Sequence, residues 1–151
     1  MGYYDKFRKL TDQEAAERDT LIFGSYDPDE YYGGVRRFYD VSPETVAELV
    51  KKGYAGPDDT QNDSPSIQEF LDYCEQHPEM GLTLGGYVVS KDRSDCRVTI
   101  DGIAGELPIG VRVSTASAID GIVSFYERFR YADELEVDQG TSSVALSAWY
   151  D

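Results

Sequence analysis

Basic residues are scarce in this chain. Its 151 residues hold 14 lysines and arginines against 29 aspartates and glutamates, a net charge of −15. Direct nucleic-acid binding needs a basic footprint for the phosphates and is therefore disfavoured. Adsorption to an anionic membrane is disfavoured by the same sign. Histidine occurs once, at His77, and cysteine only at Cys74 and Cys96, too few for a disulfide framework or a closed four-ligand zinc site. Hydrophobic runs are short, and none approaches the roughly 20 residues that span a bilayer. The first ten residues lack the apolar segment of a signal peptide, and Lys6 stands where myristoylation needs Ser or Thr. The expectation is a soluble, cytoplasmic protein with two reduced, buried thiols.

What is present suits a globular domain. At 40% hydrophobic and 13% aromatic the chain can bury a core, and its length suits one domain. Thr11-Asp12-Gln13-Glu14 is a capping box that predicts a short helix over roughly 12–19, with Leu21-Ile22-Phe23 extended beyond it. Val35 to Val41 reads as a strand, partly exposed because of Arg36-Arg37. Ser42-Pro43 and Ser64-Pro65 each set a capping hydroxyl before a proline, so both predict helix starts. Val46, Leu49 and Val50 mark the inner face of the first of these helices, and Gly53 its end. Ile67, Phe70, Leu71 and Cys74 mark the inner face of the second, and His77-Pro78 its end.

From Gly81 the apolar period becomes two. Leu82, Leu84 and Val88 predict one strand, and Cys96, Val98 and Ile100 the next, joined by a hairpin loop over 90–95. Leu107 to Val113 predicts a further strand. A longer helix, capped by Ser114 or Thr115, should run to about Arg130 with Ile119, Ile122, Val123, Tyr126 and Phe129 inward. A last hairpin should pair Leu135 and Val137 with Val144, Leu146 and Ala148. The fold class predicted is α+β, with helices packed on one face of a mainly antiparallel sheet in a single domain.

The charge is unevenly placed. Residues 55–80 contain Asp58, Asp59, Asp63, Glu69, Asp72, Glu75 and Glu79 and no lysine or arginine. Residues 131–151 contain Asp133, Glu134, Glu136, Asp138 and Asp151, again with no lysine or arginine. By contrast, 36–54 and 81–113 are close to neutral, whereas adaptation to high salt should spread acid evenly. Like charges three or four apart on a helix destabilise it by a few tenths of a kcal/mol per pair, and no lysine relieves them here. The functional reading is an acidic module that occupies a basic, nucleic-acid-type surface on a partner protein, as an inhibitor or immunity-type protein would. The loop Tyr26–Gly34, with Asp27, Asp29, Glu30, Tyr31 and Tyr32, is the candidate contact segment, since tyrosine offers contact area at low entropy cost. A turn whose tyrosines only cover the core edge is the plainer reading of the same loop.

Catalytic and metal patterns are weak. Cys74-x-x-His77 has Cys96 as the only other soft ligand, and Cys74 already belongs to an apolar stripe. Asp27-x-Asp29 opens like an EF-hand loop, but Tyr32 and Phe38 stand where Gly and Glu are needed. Gly81-x-x-x-Gly85-Gly86 lacks the Lys-Ser/Thr ending of a phosphate-binding loop. No cofactor is indicated. The rival expectations are a small hydrolase-type enzyme using paired carboxylates or His77, and an acidic domain with no dedicated partner.

Overall fold

Five antiparallel strands make one sheet in the order β1-β2-β3-β5-β4. The computed structural model describes residues 7–109 and 115–151. The strands are β1 (Val35–Val41), β2 (Thr83–Val89), β3 (Gly102–Pro108), β4 (Glu134–Gln139) and β5 (Ser143–Trp149); the helices are α1 (Asp12–Phe23), α2 (Pro43–Lys51), α3 (Ile67–Gln76) and α4 (Thr115–Arg128). Phe38 of β1, Leu84 and Val88 of β2, Ile103 and Leu107 of β3 and Leu146 and Ala148 of β5 share one buried core with Val46, Leu49, Phe70 and Phe125 of the helices and with Phe129 just after α4. The protein is thus a mixed α+β domain. Fully burying one such side chain contributes roughly 1.5–3 kcal/mol, so this layer supplies most of the driving force for folding.

Local signals account for the helix starts. Thr11 and Glu14 form the expected capping box, but α1 continues through Leu21, Ile22 and Phe23 and stops at Gly24, whose φ of 79° is left-handed. Those three side chains pack partly against the core, and this contact keeps the last turn helical. Ser42 caps α2 by accepting from the Thr45 amide, with Pro43 in the first turn. The second expected cap shifts by two residues. Ser66, not Ser64, caps α3, and Ser66 with Glu69 completes a capping box. Such a box satisfies two orphan amides where a lone Ser-Pro satisfies one. Ser64 instead accepts from the Gln61 amide and donates to the Pro65 carbonyl, closing a turn.

The β2–β3 hairpin forms, with one change. Main-chain bonds from Val89 to Arg97, Thr99 to Tyr87 and Asp101 to Gly85 carry the second arm along β2. The strand expected over Cys96–Ile100 holds only the isolated Val88–Val98 bridge, and the strand itself, β3, starts at Gly102 and takes in Leu107. The register slips between the Val88–Val98 and Gly85–Gly102 pairs, and Gly86 sits in the slip. A Cβ there would stand 1.8 Å from the Thr99 carbonyl oxygen, so only glycine fits. Positions 110–113 of the expected strand, and the Ser114 cap, lie outside the described residues.

The inner face of α4 also differs from expectation. Ala118, Phe125 and Phe129 are buried, whereas Ile119, Val123 and Tyr126 are 53%, 48% and 55% exposed. Gly121 explains the rotation: a Cβ there would lie 2.8 Å from Leu107 and 3.3 Å from Met80. The helix turns its smallest residues to the sheet and approaches it closely. The final hairpin has the expected register, with Leu135 opposite Ala148 and Val137 opposite Leu146. Among the described residues no helix is long and apolar enough to cross a membrane.

Candidate functional site

The two acidic stretches adjoin at one end of the molecule. The loop before α3 reaches the C-terminal strand, where Asn62 donates its side-chain amide to the Tyr150 carbonyl at 3.1 Å. The Tyr150 ring meets Phe70 edge-on at 6.3 Å, and the Asp151 amide donates to Asp133 at 2.8 Å. Asp63 and Asp133 therefore flank a seam at which residues 55–80 meet residues 131–151. Across α3 and α4, Arg128 reaches Glu69 at 2.9 Å.

Beyond the seam the acids diverge. Asp72 and Glu75 are exposed on α3, on the side away from buried Ile67, Phe70 and Cys74, and Asp72 accepts from Gln68 at 2.9 Å. Glu79 follows in the turn after α3, 3.3 Å from His77. On β4, Glu134, Glu136 and Asp138 lie opposite Trp149, Ser147 and Ala145, which puts them on the sheet face away from the helices. Asp58 and Asp63 are exposed and Asp59 half-buried in the loop before α3. Among the described residues, Asp58, Asp63, Asp72, Glu75, Asp133, Glu134, Glu136, Asp138 and Asp151 have no lysine or arginine within salt-bridge distance.

The Tyr26–Gly34 loop divides between inside and outside. Asp27 caps a short 3-10 turn over Pro28–Glu30 by accepting from the Asp29 amide at 3.0 Å. Asp29, Glu30 and Tyr32 are exposed, Tyr32 to 75%. Tyr31 turns inward, where its hydroxyl donates to Asp19 and accepts from Arg18 at 3.2 Å. Burial first, and the bond to Asp19 second, push its phenol well above the ordinary value. Tyr31 thus serves a buried Arg18–Asp19 pair, and Tyr32 carries the outward contact area of the loop.

Basic side chains gather close to the seam, where the Asp101 carbonyl accepts from the Tyr150 amide and Arg97 donates to Gln61 at 3.3 Å, and they are neutralised there. Arg37 bonds Asp101 at 2.9 Å and lies 5.1 Å from the Trp149 ring, 5.7 Å from Tyr39 and 5.8 Å from Tyr87. Burial raises the Asp101 carboxyl above its usual range, with Arg37 opposing. Arg93 and Arg97 both reach Asp95, at 2.7 and 3.1 Å, and with Arg37 and Tyr87 they line a cavity of about 390 Å³. The alternation Arg37–Tyr39 in β1 was the one sequence signal for this cluster; nothing local marked Asp101 or Trp149 as its partners.

His77 sits in a chain of contacts that the sequence did not announce. Its Nδ1 is 3.3 Å from Glu79 and its Nε2 is 3.5 Å from the Ser124 hydroxyl, which in turn lies 3.2 Å from the Tyr73 hydroxyl. Tyr73, His77 and Ser124 line a groove of about 520 Å³ between α3 and α4. Carboxylate, imidazole and hydroxyl in that order could activate a serine. Ser124, however, lies within α4, whose main-chain amides are engaged in the helix, so they supply no oxyanion donors beside it. Cys74 is buried, and burial pushes its thiol up to about 12, which keeps it protonated and unreactive. Both cysteines are free, and Cys96 accepts from Arg18 at 3.4 Å. No cluster of three metal-ligating side chains occurs among the described residues.

The fold is that of an α+β domain whose two acidic stretches meet at one seam. No protein-family model, no curated protein and no solved structure matches the chain.

Proposed function

We propose that this protein is an acidic binding module that occupies a basic, nucleic-acid-type surface on a partner protein. The observation that carries the reading is the seam. The two cation-free stretches adjoin through the Asn62–Tyr150 bond and the Phe70–Tyr150 ring contact. Among the described residues, Asp58, Asp63, Asp72, Glu75, Asp133, Glu134, Glu136, Asp138 and Asp151 have no lysine or arginine within salt-bridge distance, whereas Glu69 pairs with Arg128, and Arg37, Arg93 and Arg97 are matched by Asp101 and Asp95. These three arginines are thus tied to buried aspartates, and the carboxylates without a cation are exposed. Such a field steers association with a basic surface and repels wrong partners.

Affinity capture from a lysate of the source cells, eluted with rising salt, tests the reading. The expected result is a basic protein that salt releases and that DNA or heparin displaces. A retained protein indifferent to salt and to polyanions would overturn it.

The Glu79–His77–Ser124 chain supports a second reading, a small hydrolase-type enzyme. It ranks below the first because no oxyanion donors accompany Ser124. Labelling of Ser124 by a fluorophosphonate, lost in His77→Ala, would reverse that order.

A further inference from the structure

Among the described residues β4 is the last strand of the sheet, and the register fixes which of its main-chain groups face away from β5. Gly140 donates to the Ser143 carbonyl across the turn at 2.8 Å. The pairs Asp138–Ala145, Glu136–Ser147 and Glu134–Trp149 continue the same alternation. In an antiparallel ladder each residue turns its N–H and C=O to the same neighbour, and successive residues alternate. Gly140, Asp138, Glu136 and Glu134 therefore face β5, and the N–H and C=O groups of Leu135, Val137 and Gln139 point outward along the sheet edge.

The two faces beside that edge differ in chemistry. On the side away from the helices stand the carboxylates of Glu134, Glu136 and Asp138. On the helix side stand Leu135 and Val137, the latter 40% exposed. α4 meets α3 through Ser124 and Arg128, and its opposite flank carries Ile119, Val123 and Tyr126, spaced four and three apart. Charge on an edge is one way a sheet avoids pairing with itself. It does not explain why Ile119, Val123, Tyr126, Tyr131 and Val137 supply five of the seven exposed large hydrophobic residues among those described.

We propose that the β4 edge accepts an added β-strand from a basic partner, one in which lysine or arginine alternates with apolar side chains. The main chain of that strand pairs with Leu135, Val137 and Gln139. Its cations meet Glu134, Glu136 and Asp138, and its apolar residues extend the helix-side face beside Val137 and the α4 flank. This is strand addition, in which backbone bonds give affinity and alternate side chains give specificity. The inference rests on the basic-partner reading and adds the mode of docking. A second copy of the chain is a poor occupant, because antiparallel pairing of two β4 strands sets their carboxylates on the same face, against one another.

The test titrates the full chain with a short peptide alternating lysine and valine, and with the same peptide N-methylated on the amides that would face β4. Amide hydrogen exchange is followed residue by residue. The expected result is exchange slowed by about tenfold or more at Leu135, Val137 and Gln139. Binding should be lost with the methylated peptide and weakened about tenfold in Glu134→Lys/Glu136→Lys. Salt-sensitive binding that leaves those three amides unchanged, or that the methylated peptide reproduces, would overturn strand addition and leave the basic-partner reading standing. Absence of binding by the unmodified peptide would also overturn it, and the capture experiment then decides the broader reading separately. Concentration-dependent protection of the same amides in the free protein would assign the edge to a second copy and overturn the proposal.

Discussion

Arg18 and Asp19 are adjacent in sequence, 1% and 0% exposed, and bonded at 2.9 Å. Burying two charges is tolerable only when every lone pair and donor finds a partner, and here Tyr31, Cys96 and the Val89 carbonyl complete the set. Asp19→Ala strands the guanidinium and is expected to cost about 3–5 kcal/mol in urea unfolding. Arg18→Met/Asp19→Asn removes both charges, and Asn can still accept from Tyr31, so the double variant should be more stable than Asp19→Ala alone. A larger loss in the double variant would show that the pair stabilises the fold by more than it costs in desolvation. None of this was legible in sequence. The residues that bury Arg18 and Asp19 come from the distant segments 31 and 89–96.

Elements were legible where a local signal was strong and shifted where tertiary packing decided. The α3 start moved from Ser64 to Ser66 because Glu69 lies three residues after Ser66. Glu69 accepts from the Ser66 amide, donates its own amide to the Ser66 hydroxyl and pairs with Arg128, and its carboxyl is held below the usual range, the Ser66 amide contributing most. A lowered carboxyl contributes stability above the ordinary carboxylate range and loses it as pH falls through the lowered value. Ser66→Ala should cost about 1 kcal/mol at neutral pH and less at a pH where Glu69 is protonated, as urea midpoints at the two pH values would show. The face of α4 was misassigned because apolar spacing favoured Ile119, Val123 and Tyr126, while closeness of approach favoured Ala118 and Gly121. Glycine carries that information at Gly86 too. Gly86→Ala would drive a methyl into the Thr99 carbonyl and is expected to cost at least about 1–3 kcal/mol, seen as a lowered melting temperature with the helices unchanged in circular dichroism.

At the scale of the whole molecule, the acidic runs could be located in sequence but their meeting could not. Asn62 and Tyr150 are 88 positions apart, and only the antiparallel return of β5 brings them together. Net charge alone cannot separate a docking surface from a solvated one, because both raise solubility and both repel themselves. Stability and binding move in opposite directions in the first case only. Asp72 lies between Glu69 and Glu75 on α3, so Asp72→Lys replaces two repulsive neighbours with attractive ones and should stabilise the helix by about 0.3–0.5 kcal/mol per pair. The gain should shrink at high salt, where screening has already relieved the wild type. If the outer face of α3 engages a basic partner, the same substitution must weaken capture even as unfolding becomes harder. A variant that is more stable and captures the partner undiminished would show that α3 is solvent-facing only, leaving the seam and the β4 edge to carry the interaction.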